Sequence, residues 1–308
     1  MAETPQPPPP QSKAIVFARR SASTLFLWAL VTSIFMSRFS WAFLGLMGVL
    51  SILATIEYFR MLRAAAVKCF PCFGITLGIV YSCFLYYRLW LGAHEVPFGL
   101  DAGMLFLAIA GSFTLQLRHP IHGLEALMGV ATNVLGFVYV AFLFNFAARV
   151  TFVVPDTSTV PGIVGEHGAF LLLWLLAVTK FTDMGAYIVG SMIGRHKMIP
   201  HVSPGKTWEG FGGALLFSQL AACGLYAWFP AQLFFFQKWG HVVCLGFLLA
   251  VLAVIGDLAE SVVKRALGAK DSGKMLPGIG GSLDLIDSIC FTAPALFFYL
   301  KWVLLPNA

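Results

Sequence analysis

Between Gly256 and Asp287 the chain gathers an unusual density of groups able to handle a phosphate. Asp257, Ser261 and Lys264 stand at i, i+4 and i+7, so on a continuous helix they share one face, and Glu260 and Lys264 form an i, i+4 pair. Asp284 and Asp287 stand at i, i+3, and a helix beginning near them would point both carboxylates the same way. Asp257, Glu260, Asp284 and Asp287 converging from two helix ends would supply the oxygen ligands that a hard divalent cation such as Mg²⁺ takes. Lys264, Arg265 and Lys270 complement phosphate charge. Gly278, Gly280 and Gly281 allow the backbone to approach a phosphate closely. Together these are the parts of a nucleotide-phosphate site, where catalysis is mostly positioning and charge stabilisation. A purely structural account makes Asp284 and Asp287 helix caps and first-turn acids, and Lys264 and Arg265 membrane-orientation signals. Each part of that account explains some residues. Neither part explains paired acids, a Lys-Asp step and a Gly-rich turn in one short stretch.

A second polar stretch runs from Thr182-Asp183 through Gly194-Arg195-His196-Lys197 to Ser203-Pro-Gly-Lys206-Thr-Trp-Glu209. Asp183, with Lys180 beside it, falls near the end of an apolar run, where an ionisable side chain is functional by default. Gly205-Lys206-Thr207 has the look of a P-loop, but Pro200 occupies the position of its first glycine and no strand precedes it. Ser203-Pro204 has the form of a helix start, a cap followed by a first-turn proline.

The elements that must hold these groups are set by composition. The chain has 308 residues, is 59% hydrophobic and only 11% charged, against about a quarter charged in water-soluble domains. Long apolar runs separated by short polar ones predict an all-α, polytopic transmembrane bundle. Nine spans are expected, at 21–38, 41–58, 70–91, 102–117, 125–148, 167–189, 210–229, 241–259 and 286–305. Residues 1–20 read as a cytoplasmic N-terminus, Pro- and Gln-rich and disordered at its start. Residues 21–166 read as a transmembrane scaffold and 167–308 as the region carrying the chemistry. With the N-terminus inside, the cytoplasmic loops hold Arg60, Arg63, Lys68, Arg118, Arg195, Lys197, Lys206, Lys264, Arg265 and Lys270 among others. The opposite side holds Arg38, Arg149 and Lys238. That bias predicts a multi-pass protein of the cell membrane with its polar stretches facing the cytoplasm. The net charge of +6 is spread over these loops and forms no nucleic-acid stripe. Most of the six cysteines lie in apolar runs as small hydrophobes, and Cys69-Phe-Pro-Cys72 has neither a second pair nor a redox-fold context.

Spacing then makes the reading specific. Ser261-Val-Val-Lys264-Arg265, four residues, Lys270-Asp271, four residues, Leu276-Pro277-Gly278-Ile279-Gly280-Gly281, two residues, Asp284-Leu285-Ile286-Asp287 resembles, position by position, the signature of the phosphatidate cytidylyltransferases. Ile279 stands where that signature has His, and Leu285 where it has Arg. The stretch from Asp183 to Tyr187, followed by Ser203-Pro-x-Lys206-Thr-x-Glu209-Gly210, is similar to a second element of the same family. The resemblance implies that Asp183, Ser203, Lys206, Glu209, Ser261, Lys270, Asp271, Gly280 and Gly281 line the substrate site. It also implies that Asp257, Lys264, Arg265, Asp284 and Asp287 carry catalysis. The implied reaction joins CTP to phosphatidic acid with Mg²⁺, giving CDP-diacylglycerol and pyrophosphate. Partners are then CTP, phosphatidic acid and membrane lipid, with a homodimer as a candidate assembly and no nucleic acid. The rivals are a related membrane enzyme on another lipid, either an isoprenoid-alcohol kinase or a CDP-archaeol-type synthase, and an ion-coupled transporter. The chain shows no internal repeat of the transporter kind.

Overall fold

The computed structural model describes residues 29–35, 37–91, 97–154, 162–273 and 280–305. Among these, eight helices are long and apolar enough to cross a membrane: α1 Ser40–Ala64, α2 Pro71–Trp90, α3 Gly99–Gln116, α4 Glu125–Phe152, α5 Glu166–Ile193, α6 Trp208–Trp228, α7 Trp239–Ala266 and α8 Ser282–Leu304. They correspond in order to the second through ninth expected spans. The expected N-terminal disorder and the first half of the first expected span fall outside the described residues, and 29–35 is helical. Expected ends move by a few residues. The short fourth span, for example, gains a turn at its start. The described part is mostly helical, as the composition requires, because a helix satisfies its own backbone in lipid.

Polar contacts across helices fix which ends lie together. On one side, Thr132 at the start of α4 donates to the Lys68 carbonyl before α2, at 3.0 Å. Glu57 near the end of α1 accepts from Leu283 at the start of α8. On the other side, Arg38 before α1 donates to the Val164 carbonyl before α5, and His241 at the start of α7 meets the Tyr299 hydroxyl near the end of α8 at 2.8 Å. The same side buries an ion pair, with Arg149 of α4 at 2.5 Å from Asp101 of α3 and 2.9 Å from the Tyr81 hydroxyl of α2. An arginine this buried is tolerated because the carboxylate and the hydroxyl meet it.

The core is aromatic and aliphatic, with Trp174, Tyr58, Tyr81, Phe59 and Phe137 among its largest fully buried side chains. Small residues bring the helices of the polar region close. A Cβ on Gly185 of α5 would stand 2.5 Å from the Gly213 carbonyl of α6, and one on Gly210 would stand 2.8 Å from the Ala186 carbonyl. The α7–α8 crossing is equally tight: a Cβ on Gly256 would lie 2.8 Å from the Asp287 carbonyl. A π-helical segment, Phe137–Phe142, interrupts α4, and a second, Leu300–Leu304, forms the end of α8.

The described residues also include a two-stranded hairpin. Lys197–Ile199 (β1) and Ser203–Thr207 (β2) pair antiparallel between α5 and α6. Ser203-Pro204 therefore does not start a helix, as its form suggested. The cap is Thr207, whose hydroxyl accepts from Gly210 N at 3.1 Å. Proline has no N–H to donate, but it is tolerated in a two-stranded ribbon, where every strand is an edge.

Candidate active site

The polar residues of the last third lie together at one end of the bundle. Their level in the bundle follows from helix length. At 1.5 Å per residue, Asp183 lies about 26 Å along the 28-residue α5 and Asp257 about 27 Å along the 28-residue α7. Each of these helices is about 42 Å long, so both acids lie past the middle of their helices, toward the end that the hairpin and the start of α8 share.

α7 runs unbroken through Ala266, which gives Asp257, Glu260, Ser261 and Lys264 their common side. Because Gly256 lets α8 approach, Asp287 meets the first two. One carboxylate oxygen from each of Asp257, Glu260 and Asp287 lies within 4.8 Å of the others. Glu260 and Asp287 are buried. Glu260 Oε1 has no hydrogen-bond partner among the described residues. Around an octahedral Mg²⁺ adjacent oxygens stand about 3 Å apart and opposite ones about 4.2 Å, so the three carboxylates would have to draw together to share one ion. An all-oxygen donor set with a buried, unpartnered carboxylate oxygen suits a hard divalent cation.

Asp284 does not join that group. Its Oδ1 accepts from Lys264 at 2.8 Å, and its Oδ2 takes the Ser272 hydroxyl at 2.7 Å and the Gly281 N–H at 2.9 Å. The i, i+3 spacing suggested parallel carboxylates. Instead Asp284, in the first turn of α8, folds back on its own helix start while Asp287 faces α7. Lys264 also holds Glu260 Oε2 at 2.6 Å, so it bridges two acids from two helices.

The hairpin delivers a second cation. Lys206 on β2 pairs with Asp257, and its side chain is 19% exposed. Lys180 of α5 lies 3.4 Å from Asp183 and donates to the Leu285 carbonyl at 3.1 Å. Arg265 lies at the rim, where its Nε reaches the Val202 carbonyl at 3.3 Å. Lys270 and Asp271 are exposed beyond the end of α7, and Ser203 is half-buried. Glu209 is turned elsewhere. It accepts from the backbone N–H groups of Arg195 and His196 and meets His196 Nδ1 at 2.6 Å, buckling the hairpin to α6.

The Gly280-Gly281 step has two separate physical reasons. Gly280 has φ +117°, a conformation that side chains disfavour. At Gly281 a Cβ would stand 2.0 Å from Ser272 Oγ and 2.7 Å from Glu57 Oε2. Gly278 and Ile279 lie outside the described residues. Glu57 was not singled out from the sequence, although a carboxylate inside an apolar run was a signal available there. It belongs to the segment read as scaffold, yet it touches the start of α8.

These features define a multi-pass membrane protein with an acidic, lysine-flanked cluster toward one end of its helix bundle. The match of residues 18–303 to the cytidylyltransferase family profile makes the class specific: the chain belongs to that family. It is 39% identical over 260 residues to the phosphatidate cytidylyltransferase of Mycobacterium leprae, covering 70% of this chain and 81% of that one. It is 31% identical over 283 residues to the Synechocystis phosphatidate cytidylyltransferase, covering 86% and 90%. It is also 30% identical over 251 residues to the uncharacterized protein YnbB of Escherichia coli, covering 80% and 79%.

Proposed function

We propose that the protein is a phosphatidate cytidylyltransferase, converting CTP and phosphatidic acid to CDP-diacylglycerol and pyrophosphate. The observation that carries this reading is the Asp257–Glu260–Asp287 group, flanked by Lys206 and Lys264, in a chain of membrane-spanning helices. The named relatives support it. In the reaction an oxygen of the phosphatidate phosphate attacks the α-phosphorus of CTP. A P–O bond forms there as the bond from the α-phosphorus to the oxygen bridging to the β-phosphate breaks, and pyrophosphate leaves with the electron pair. The attacking oxygen is already anionic, so the chain needs no strong general base.

Asp257, Glu260 and Asp287 would hold a Mg²⁺ ion, which would supply charge neutralisation for phosphoryl chemistry. The protein's own cations do the rest. Lys206 is fixed against Asp257 between hairpin and α7, so a phosphate entering there meets a placed ammonium. Lys180 stands across the site beside Asp183. Arg265 and Lys270 lie at the exposed rim, where a polyphosphate tail extends. Asp284 and Lys264 hold the acids in register. The site face carries Arg60, Arg63, Lys68, Arg118, Arg195 and Lys197, which supports a cytoplasmic placement.

CTP labelled separately at the α- and γ-phosphorus tests the reading. Cytidylyl transfer to phosphatidate puts the α label in lipid and the γ label in pyrophosphate. A lipid kinase would put the γ label in lipid, and a CDP-archaeol-type synthase would label an ether-linked acceptor in preference to phosphatidate.

A further inference from the structure

Glu57 lies in α1, far in sequence from every motif residue, and is only 1% exposed. Its Oε2 accepts the Leu283 N–H at 3.0 Å, across 226 positions. Its Oε1 has no hydrogen-bond partner among the described residues. The first turn of any helix has N–H groups with no acceptor of its own, and α8 begins at Ser282. The residue before it, Gly281, has no side chain with which to cap. Two carboxylates do that work instead: Asp284 turns back to the Gly281 N–H, and Glu57 reaches over from α1.

The glycines confirm how closely this carboxylate is enclosed. A Cβ on Gly273 would lie 2.4 Å from Glu57 Oε1, and its three nearest atoms would all belong to Glu57. A Cβ on Gly281 would lie 2.7 Å from Glu57 Oε2. The chain before residue 274 and the chain after residue 280 thus close on one buried side chain. The same small region holds Ser272 and Asp284, and Asp287 follows three residues later.

We propose that Glu57 is a positioning residue for the transfer reaction. It anchors the start of α8 to α1, so that Asp287 reaches Asp257 and Glu260 while Asp284 reaches Lys264. It lies outside the three-acid group and acts through α8.

The inference rests on the cytidylyltransferase reading, so its test includes one measurement independent of the reaction. Full-length Glu57→Ala, Glu57→Gln, Gly273→Ala and the Glu57→Ala/Gly273→Ala pair are purified in detergent. Amide hydrogen exchange over residues 281–287 is measured beside turnover against CTP and Mg²⁺. Glu57→Ala should speed exchange at the start of α8. It should also lower kcat about ten- to a hundred-fold, the usual loss when a group orienting metal ligands is removed. KM for CTP should change little, and half-maximal activity should need more Mg²⁺. Glu57→Gln, whose amide oxygen accepts the same N–H, should retain most of the turnover. Gly273→Ala should be defective alone but add nothing in the Glu57→Ala background. Wild-type exchange with wild-type turnover in Glu57→Ala would overturn the proposal. So would a Gln variant as inactive as the Ala variant, or a loss of turnover with exchange unchanged. If Glu57→Ala does not fold, the contrast between Glu57→Gln and Gly273→Ala decides: Gln active with Gly273→Ala defective supports the anchor, and both active refutes it. If the wild type transfers no cytidylyl group, the functional reading fails, and the exchange measurement alone judges the anchor.

Discussion

Asp284 and Asp287 differ by less than one helical turn, yet their surroundings assign them different tasks. Asp287 is buried beside Asp257 and Glu260, whereas both oxygens of Asp284 are engaged by Lys264, Ser272 and Gly281. Asp257→Asn, Glu260→Gln and Asp287→Asn should each lower turnover about a hundred-fold or more, with no rescue at high Mg²⁺. Asp284→Asn keeps an acceptor for Gly281 and Ser272 but weakens the hold on Lys264, so part of its loss should be recovered by added Mg²⁺. Titrating Mg²⁺ against turnover in the four variants separates the roles, and identical profiles would reject the distinction. The helix-face relation of Asp257, Glu260 and Lys264 was legible in sequence because helical periodicity encodes it. The parting of Asp284 from Asp287 was not, because it depends on where α8 begins and what its first N–H groups meet. Glu57 was harder still, since its partner lies 226 positions away and no local spacing reports such a contact.

The elements matter through their closest approaches. Gly256 lets α7 touch α8 at the level of Asp287, and Gly185 and Gly213 do the same for α5 and α6. Gly256→Val would push α8 from α7, costing about 1–3 kcal/mol through overpacking and drawing Asp287 away from Asp257. We expect a lower melting temperature in detergent together with a turnover loss larger than the stability change explains. Normal turnover in a folded Gly256→Val protein would show that the crossing does not set the site. The eight described spans were legible because lipid leaves few choices to an apolar run. The hairpin was not. Ser203-Pro204-Gly205-Lys206-Thr207 lacks the alternation of a buried strand, and its pairing is held from outside, by Glu209 against Arg195 and His196. Glu209→Gln should therefore loosen the hairpin and raise KM for CTP more than it lowers kcat, as steady-state kinetics would reveal.

For the molecule as a whole, the polar chemistry is gathered at one face, while the other face holds the Arg149–Asp101 pair and the His241–Tyr299 contact. The basic loops underlie the proposal that the site face is cytoplasmic, and accessibility tests it. In a cysteine-free background, His201→Cys should react with an impermeant thiol reagent only in inside-out vesicles, and Lys238→Cys only in intact cells. The reverse pattern would invert the topology and separate the site from cytoplasmic CTP. The central claim, that the three-acid group supports cytidylyl transfer to a phosphatidate headgroup, has one most direct measurement. Purified protein in detergent is given phosphatidic acid, CTP labelled at the α-phosphorus and Mg²⁺, and the lipids are extracted and separated. The account predicts labelled CDP-diacylglycerol that disappears on chelation and in Asp287→Asn. No labelled lipid from folded protein, or label that survives both treatments, would contradict it.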